Sequence, residues 1–358
     1  MTVERSITVE KSNDIKAFAI ILMMCHHLFG CGSFLTLKEN TWVSIFPGLL
    51  VTLSSAAKIC IAMFLFCTGY GLYHSYVRKA TVEKTYILNR MLKVLIPYWV
   101  VMFFTILYLA ARGKFEARYL FVNLFALLHN DDILYVSFSW YIKLYLCILL
   151  LFPVIRWIEK RLKKNIIIDA GLYIVIPFVL AFALRGFYNE ESFESIPGFI
   201  LSTIQFTLSW FPLVSVGTLF AKYRIYEKIR ESTDRIPHPI IIILSVVCMI
   251  GVLLVRSKFS YSPYSDAVYA PIFITSYLLV LDHIKWRSKY VMPYIGRNSL
   301  LYWLLSGMFF LNTSELQFVA YLPKYALAIL VWTMLLLTPF VELCRFLSSK
   351  IGQLIISK

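Results

Sequence analysis

The sequence is organised in uninterrupted apolar blocks of about 20 residues separated by short polar segments, the length that crosses the hydrocarbon of a bilayer. At about 1.5 Å of rise per residue, one block spans about 30 Å as an α-helix. Core helices of soluble domains are shorter and keep a polar stripe, which most of these blocks lack. Composition agrees: 59% of the 358 residues are hydrophobic, 15% are charged, and the mean hydropathy is +0.73. Soluble domains carry roughly 45–50% apolar and about 25% charged residues. The expected class is therefore all-α: a polytopic integral membrane protein folded as a single transmembrane domain over residues 1–358.

The blocks predict about ten spans, near 14–33, 48–75, 86–111, 136–156, 166–184, 198–221, 238–256, 266–283, 291–311 and 324–346. Ser12, Asn13 and Asp14 read as caps for the first, and Pro197, Pro237 and Pro239 as helix starts. The loops alternate in charge. One set holds Arg78, Lys79 and Lys84; Arg156, Lys160, Arg161, Lys163 and Lys164; Lys222, Arg224, Lys228, Arg230 and Arg235; and Lys285, Arg287 and Lys289. The other set is poorer in basic residues, with Lys38, Arg112, Lys114, Arg118, Arg185, Arg256, Lys258 and Lys324, and carries Glu190, Glu191 and Glu194. The basic set belongs on the cytoplasmic side, which places both termini there. The net charge of +15 is thereby explained without nucleic acid.

The N-terminal segment reads as an uncleaved helix, because His26 and His27 lie within its apolar core. Tyr119–Leu128 is apolar but too short to cross, so it lies at the interface or re-enters. The seven cysteines show neither CxxC spacing nor a disulfide framework. No cluster of ligating residues has metal spacing, so no metal is expected.

Ionisable residues inside spans are costly and are functional-site candidates by default. Lys16 and His27 are eleven residues apart; on an α-helix that is three turns plus about 20°, so they share a face, about 16 Å apart along the axis. An imidazole near mid-membrane can take a hydroxyl proton; an interhelical hydrogen-bonding histidine and a snorkelling lysine would give the same pattern. Lys58 and Lys143 lie in the second and fourth spans, and Trp140 shares a helix face with Lys143. Such a pair suits a saccharide cleft, or equally an interfacial anchor. Glu342 and Arg345 read as a structural pair, while His74, His129, His238 and His283 receive no role.

Several stretches together resemble the acyltransferase-3 family. Lys16, ten residues, then His27 is similar to its Arg/Lys-x10-His signature; Phe64-Leu65-Phe66-Cys67-Thr68-Gly69-Tyr70 resembles its FF-x-x-SGY stretch. Asn89-Arg90-Met91-Leu92-Lys93 with Pro97-Tyr98 resembles RRxxR followed by Pro-x-Tyr. Trp140-Tyr141 with Pro153, and Tyr294-Ile295-Gly296-Arg297-Asn298-Ser299-Leu300 with Tyr302, are similar to its later motifs. The departures are Asn89 and Lys93 for arginines, and Ser306 near a position where the family often has histidine.

The resemblance implies a bacterial cytoplasmic-membrane enzyme moving an acyl group, most often acetyl, from cytoplasmic acyl-CoA to a hydroxyl of a surface or lipid-linked saccharide. In that reading His27 and Lys16 are catalytic, and Arg90, Lys93 and Arg297 bind coenzyme A phosphates. Trp140 and Lys143 contact the acceptor. A saccharide or lipid exporter, with the same charges lining a path, is the alternative.

Overall fold

A computed structural model describes residues 7–30, 46–78, 84–127, 135–136, 139–162, 165–185, 196–259, 262–284, 288–307 and 318–356. Lys38, Lys79, His129, Lys163, Lys164, Glu190, Glu191, Glu194, Lys285 and Arg287 lie outside these residues, as do Cys31 and the end of the ninth expected span.

The described chain is all helix and loop. Helices α1 (Val9–Cys25), α2 (Pro47–Ala56), α3 (Cys60–Arg78), α4 (Lys84–Ala111), α5 (Leu120–Leu124) and α6 (Trp140–Glu159) come first. Then follow α7 (Ile166–Ala170), α8 (Ile176–Ala183), α9 (Ile196–Tyr223), α10 (Ile225–Thr233), α11 (His238–Lys258) and α12 (Pro263–His283). The chain closes with α13 (Val291–Arg297), α14 (Ser299–Gly307) and α15 (Ala326–Ile356). Among the described residues, eight helical segments are long and apolar enough to cross a membrane, from Gly48–Val77 to Ala326–Ile355. They coincide with eight of the ten expected spans, so the protein is a polytopic α-helical membrane protein. Many of their large apolar side chains point outward, among them Ile167, Ile243, Phe182 and Leu327, as a lipid-facing surface requires.

Local chemistry accounts for several helix starts. Pro197 falls in the first turn of α9, Pro237 caps α11 and Pro239 occupies its first turn. Ser12, Asn13 and Asp14 are not caps. The helix begins a turn earlier, at Val9: the Ser12 amide bonds the Thr8 carbonyl (2.9 Å), and the Thr8 hydroxyl accepts from the Lys11 amide (3.2 Å). Thr8 thus supplies the oxygen that the orphan amides need. Tyr119–Leu128 forms, over its described part, a 3-10 turn (Ala117–Tyr119) and the short α5, too short to span.

The contacts divide into two compact units. The first comprises Met1–Ala19, Ile59–Val82 and Cys147–Pro293; the second comprises Ile20–Lys58, Glu83–Leu146 and Tyr294–Lys358. In the first unit α9 is the hub, packing on α3, α8, α10 and α12. α3 and α9 meet at glycines: a Cβ on Gly69 would overlap the Val214 carbonyl, and one on Gly217 would overlap the Phe66 carbonyl. Small residues are what allow membrane helices to approach this closely. The start of α1 joins α12 through Phe18, stacked on Tyr277 (4.5 Å) and Phe273 (5.9 Å).

In the second unit α4, α14 and α15 pack together. The Tyr302 hydroxyl meets Thr338 Oγ1 at 2.8 Å, and the Tyr294 hydroxyl donates to Glu342 at 2.5 Å. Arg345 also holds Glu342, so the expected structural pair is a trio that includes a tyrosine of the late motif.

Candidate functional site

His27 lies in the second unit, in a π-helical turn, His26–Gly30, that continues α1. The α-helical count from Lys16 therefore holds as far as Cys25 and gives way to wider i→i+5 spacing before His27. Turns of this kind are rare and recur at functional sites. His27 is 7% exposed. The turn is clamped to α2: Ser55 Oγ donates to the Gly30 carbonyl (3.2 Å), and His26 Nδ1 lies 3.1 Å from the Ser54 carbonyl. A side chain at Gly30 would overlap the Ser54–Ser55 backbone, so only glycine permits this approach. The Tyr321 hydroxyl closes the other side by donating to the Leu28 carbonyl at 2.7 Å. His26 and Lys58 both lie near enough for their charges to act on His27.

Lys16 belongs to the first unit. It is a charged neighbour of Cys67, within the Phe64–Tyr70 motif, and Ser12 hydrogen-bonds the same sulfur.

The three residues expected to bind phosphates all belong to the second unit. Arg90 is half-buried on α4, over the Tyr86 ring at 5.1 Å and hydrogen-bonded to Tyr145. Lys93, one turn on, is exposed. Arg297, at the end of α13, is exposed too. Arg90 is thus held in a fixed orientation by aromatic neighbours while the other two cations keep their water.

Lys143 is 2% exposed on α6, and Trp140 is half-buried one turn earlier. Between them Tyr141 stacks on Trp303 of α14 at 4.9 Å, which joins the Trp-Tyr motif to the late motif. Ser306 is fully buried and bonded to the Trp303 carbonyl at 2.7 Å, within its own helix. The Pro97-Tyr98 pair has an anchoring role. Tyr98 donates to the Asn123 carbonyl (2.6 Å) and Trp99 to the Leu124 carbonyl (2.8 Å), fastening α5 to α4.

Three basic residues counted above as loop charges lie instead within helices and face carboxylates, Arg256 buried and Arg156 and Lys222 half-buried. Arg256, on α11, makes a two-pronged pair with Asp266 of α12 at 2.7 and 2.8 Å. Arg156 on α6 and Lys222 on α9 enclose Glu159, and Lys222 also meets Asp169. The Tyr173 hydroxyl donates to Glu159 at 2.5 Å, and that of Tyr223 to Asp169. The isolated Asp169 inside the apolar run Ile166–Pro177 was the available signal, since a carboxylate there requires a partner. Lys58 was visible in the sequence as an intramembrane charge, but its place just after the helix that packs on the π-turn was not. Among the described residues no group of three or more His, Cys, Asp or Glu could hold a metal ion.

No curated protein and no solved structure matches the chain. A family described as an acyltransferase domain, acyltransferase-3, matches residues 13–342, which covers both units and every candidate residue above. On that match the chain belongs to the acyltransferase-3 family.

Proposed function

We propose that this chain is an O-acyltransferase of the bacterial cytoplasmic membrane, with ten spans and both termini inside. It moves an acyl group, acetyl in the simplest case, from cytoplasmic acyl-CoA to a hydroxyl of a surface or lipid-linked saccharide. The observation that carries the reading is a buried histidine, His27, on a clamped π-turn in the same compact unit as Arg90, Lys93 and Arg297.

The roles follow from chemistry. His27 is the general base: it takes the acceptor hydroxyl proton as the oxygen attacks the thioester carbonyl, and returns it to the departing thiolate. Arg90, Lys93 and Arg297 offer guanidinium and ammonium donors to the phosphates of coenzyme A. In this reading Lys16 orients the donor or tunes the base. Trp140 and Lys143 serve the acceptor, the ring by stacking on a sugar face and the ammonium by hydrogen bonding.

Binding of acetyl-CoA to the full chain in lipid nanodiscs tests this reading against transport. Saturable binding weakened in Arg90→Ala, together with acetyl transfer to saccharide, supports it. Saccharide flux in proteoliposomes without acetyl-CoA binding refutes it.

A further inference from the structure

Two departures from α-helical geometry adjoin α2, one packed against it and one directly following it. One is the π-turn that holds His27; the other is a 3-10 turn, Ala57–Ile59, that interrupts the 30-residue span Gly48–Val77. Both kinds of interruption recur where a helix serves function or bears strain. The 3-10 turn carries Lys58, about 15 Å along the span from Gly48 at α-helical rise. Its ammonium lies in a segment where an ionisable group is expensive to keep.

The packing fixes where Lys58 stands. Ser54 and Ser55 are the residues of α2 that touch the π-turn, through His26 Nδ1, the Gly30 carbonyl and the bare Gly30 Cα. Lys58 follows Ser54 by four residues across the start of the 3-10 turn, hence stands about one turn further along the segment that touches the π-turn. It is half-buried, and it is a charged neighbour of His27.

Building on the acyltransferase reading, we infer that Lys58 is a further catalytic residue, the cation that stabilises the oxyanion formed when His27 activates the acceptor. The acceptor oxygen bonds to the thioester carbon, its proton passes to the imidazole, and the carbonyl electron pair moves onto oxygen. The negative charge then develops near an ammonium in a low-dielectric setting, where such stabilisation is strongest. On collapse the carbon–sulfur bond breaks and the thiolate takes the proton from the imidazolium. In the first step Lys58 lowers the energy of the oxyanion, which offsets its repulsion of the imidazolium; in the second that repulsion helps return the proton. Rigid attachment of α2 to the π-turn keeps the cation in place without reorganisation during reaction, and Gly30 makes that attachment possible.

The test measures acetyl transferred from labelled acetyl-CoA to polysaccharide isolated from a strain lacking the gene, using the full chain in nanodiscs. Lys58→Met is expected to lower kcat by about 100- to 1,000-fold, as loss of an oxyanion donor does, with little change in the KM for acetyl-CoA. Lys58→Arg, which keeps the charge, is expected to recover part of the rate. Lys58→Gln replaces Lys58→Met if the latter does not insert. Wild-type kcat in a neutral variant, or equal loss in the Arg and Met variants with a lowered unfolding temperature, overturns the assignment. The parent reading is checked separately by His27→Ala. An inactive His27→Ala beside a fully active Lys58→Met removes Lys58 alone, whereas two fully active variants remove the acyltransfer mechanism itself.

Discussion

Gly69 and Gly217 sit back to back with the helix opposite: each places its bare Cα against a backbone carbonyl, that of Val214 for Gly69 and that of Phe66 for Gly217. The Thr218 hydroxyl, 3.3 Å from the Gly69 carbonyl, lies at the same crossing. The glycine of the Phe64–Tyr70 motif is therefore a packing residue of α3 and α9.

Gly69→Ala and Gly217→Ala are each expected to destabilise the protein by about 1–3 kcal/mol, the usual result of forcing a methyl into a filled contact. The unfolding temperature in detergent reads this out. Gly71→Ala, on the same helix with open space around it, is the control and should change little.

The charged cluster of the first unit gives a second expectation. Glu159 and Asp169 are buried and share Lys222, so Lys222→Met leaves two carboxylates with one fewer cation. Breaking a buried pair on one side costs about 3–5 kcal/mol, whereas removing charge on both sides costs far less. Lys222→Met should lower the yield of folded protein sharply, and adding Asp169→Asn, which leaves Glu159 paired with Arg156, should restore much of it.

Outside the spans, Tyr226 of α10 donates to Asp282 at 2.8 Å. Burial, then the Asp282 carboxylate, holds the phenol above its ordinary value. A tyrosine raised in the folded state ionises first in the unfolded chain, so stability falls as the pH rises past about 10. Tyr226→Phe should lose about 1 kcal/mol at neutral pH, from the missing hydrogen bond, and should show a shallower alkaline decline. Chemical denaturation across the alkaline range measures both.

Arg90 supplies a fourth. It is oriented by Tyr86 and Tyr145, and a charge-assisted bond to phosphate contributes about 1.5–3 kcal/mol. Arg90→Ala is expected to weaken acetyl-CoA binding by about 10- to 100-fold, and the exposed Lys93→Ala by less. Titration calorimetry in nanodiscs distinguishes the two.

Eight spans and the proline-marked helix starts were legible because apolar length and proline geometry are local properties. The start of α1 was not, since Thr8 competes with Ser12 for the capping role and only the hydrogen bonds choose between them. Arg156, Lys222 and Arg256 near span ends look identical whether they face water or a buried carboxylate. Arg156 finds its partner, Glu159, on its own helix, while those of the other two come from other helices: Asp169 for Lys222 and Asp266 for Arg256. The candidate residues His27, Arg90, Lys93, Arg297, Trp140, Lys143 and Lys16 could all be named from the sequence. The π-turn could not, because counting at 100° per residue assumes the α-helix that ends at Cys25. The approach of α2 to that turn depends on Gly30, so it is a tertiary fact.

The most direct measurement is acetyl transfer by His27→Ala in nanodiscs, alongside its unfolding temperature and its acetyl-CoA binding. A general base contributes about 100- to 10,000-fold, so the variant should insert, unfold like the parent, bind acetyl-CoA normally and lose transfer by that factor. A folded His27→Ala protein that acetylates the saccharide at the parent rate would contradict the assignment of His27 as the base.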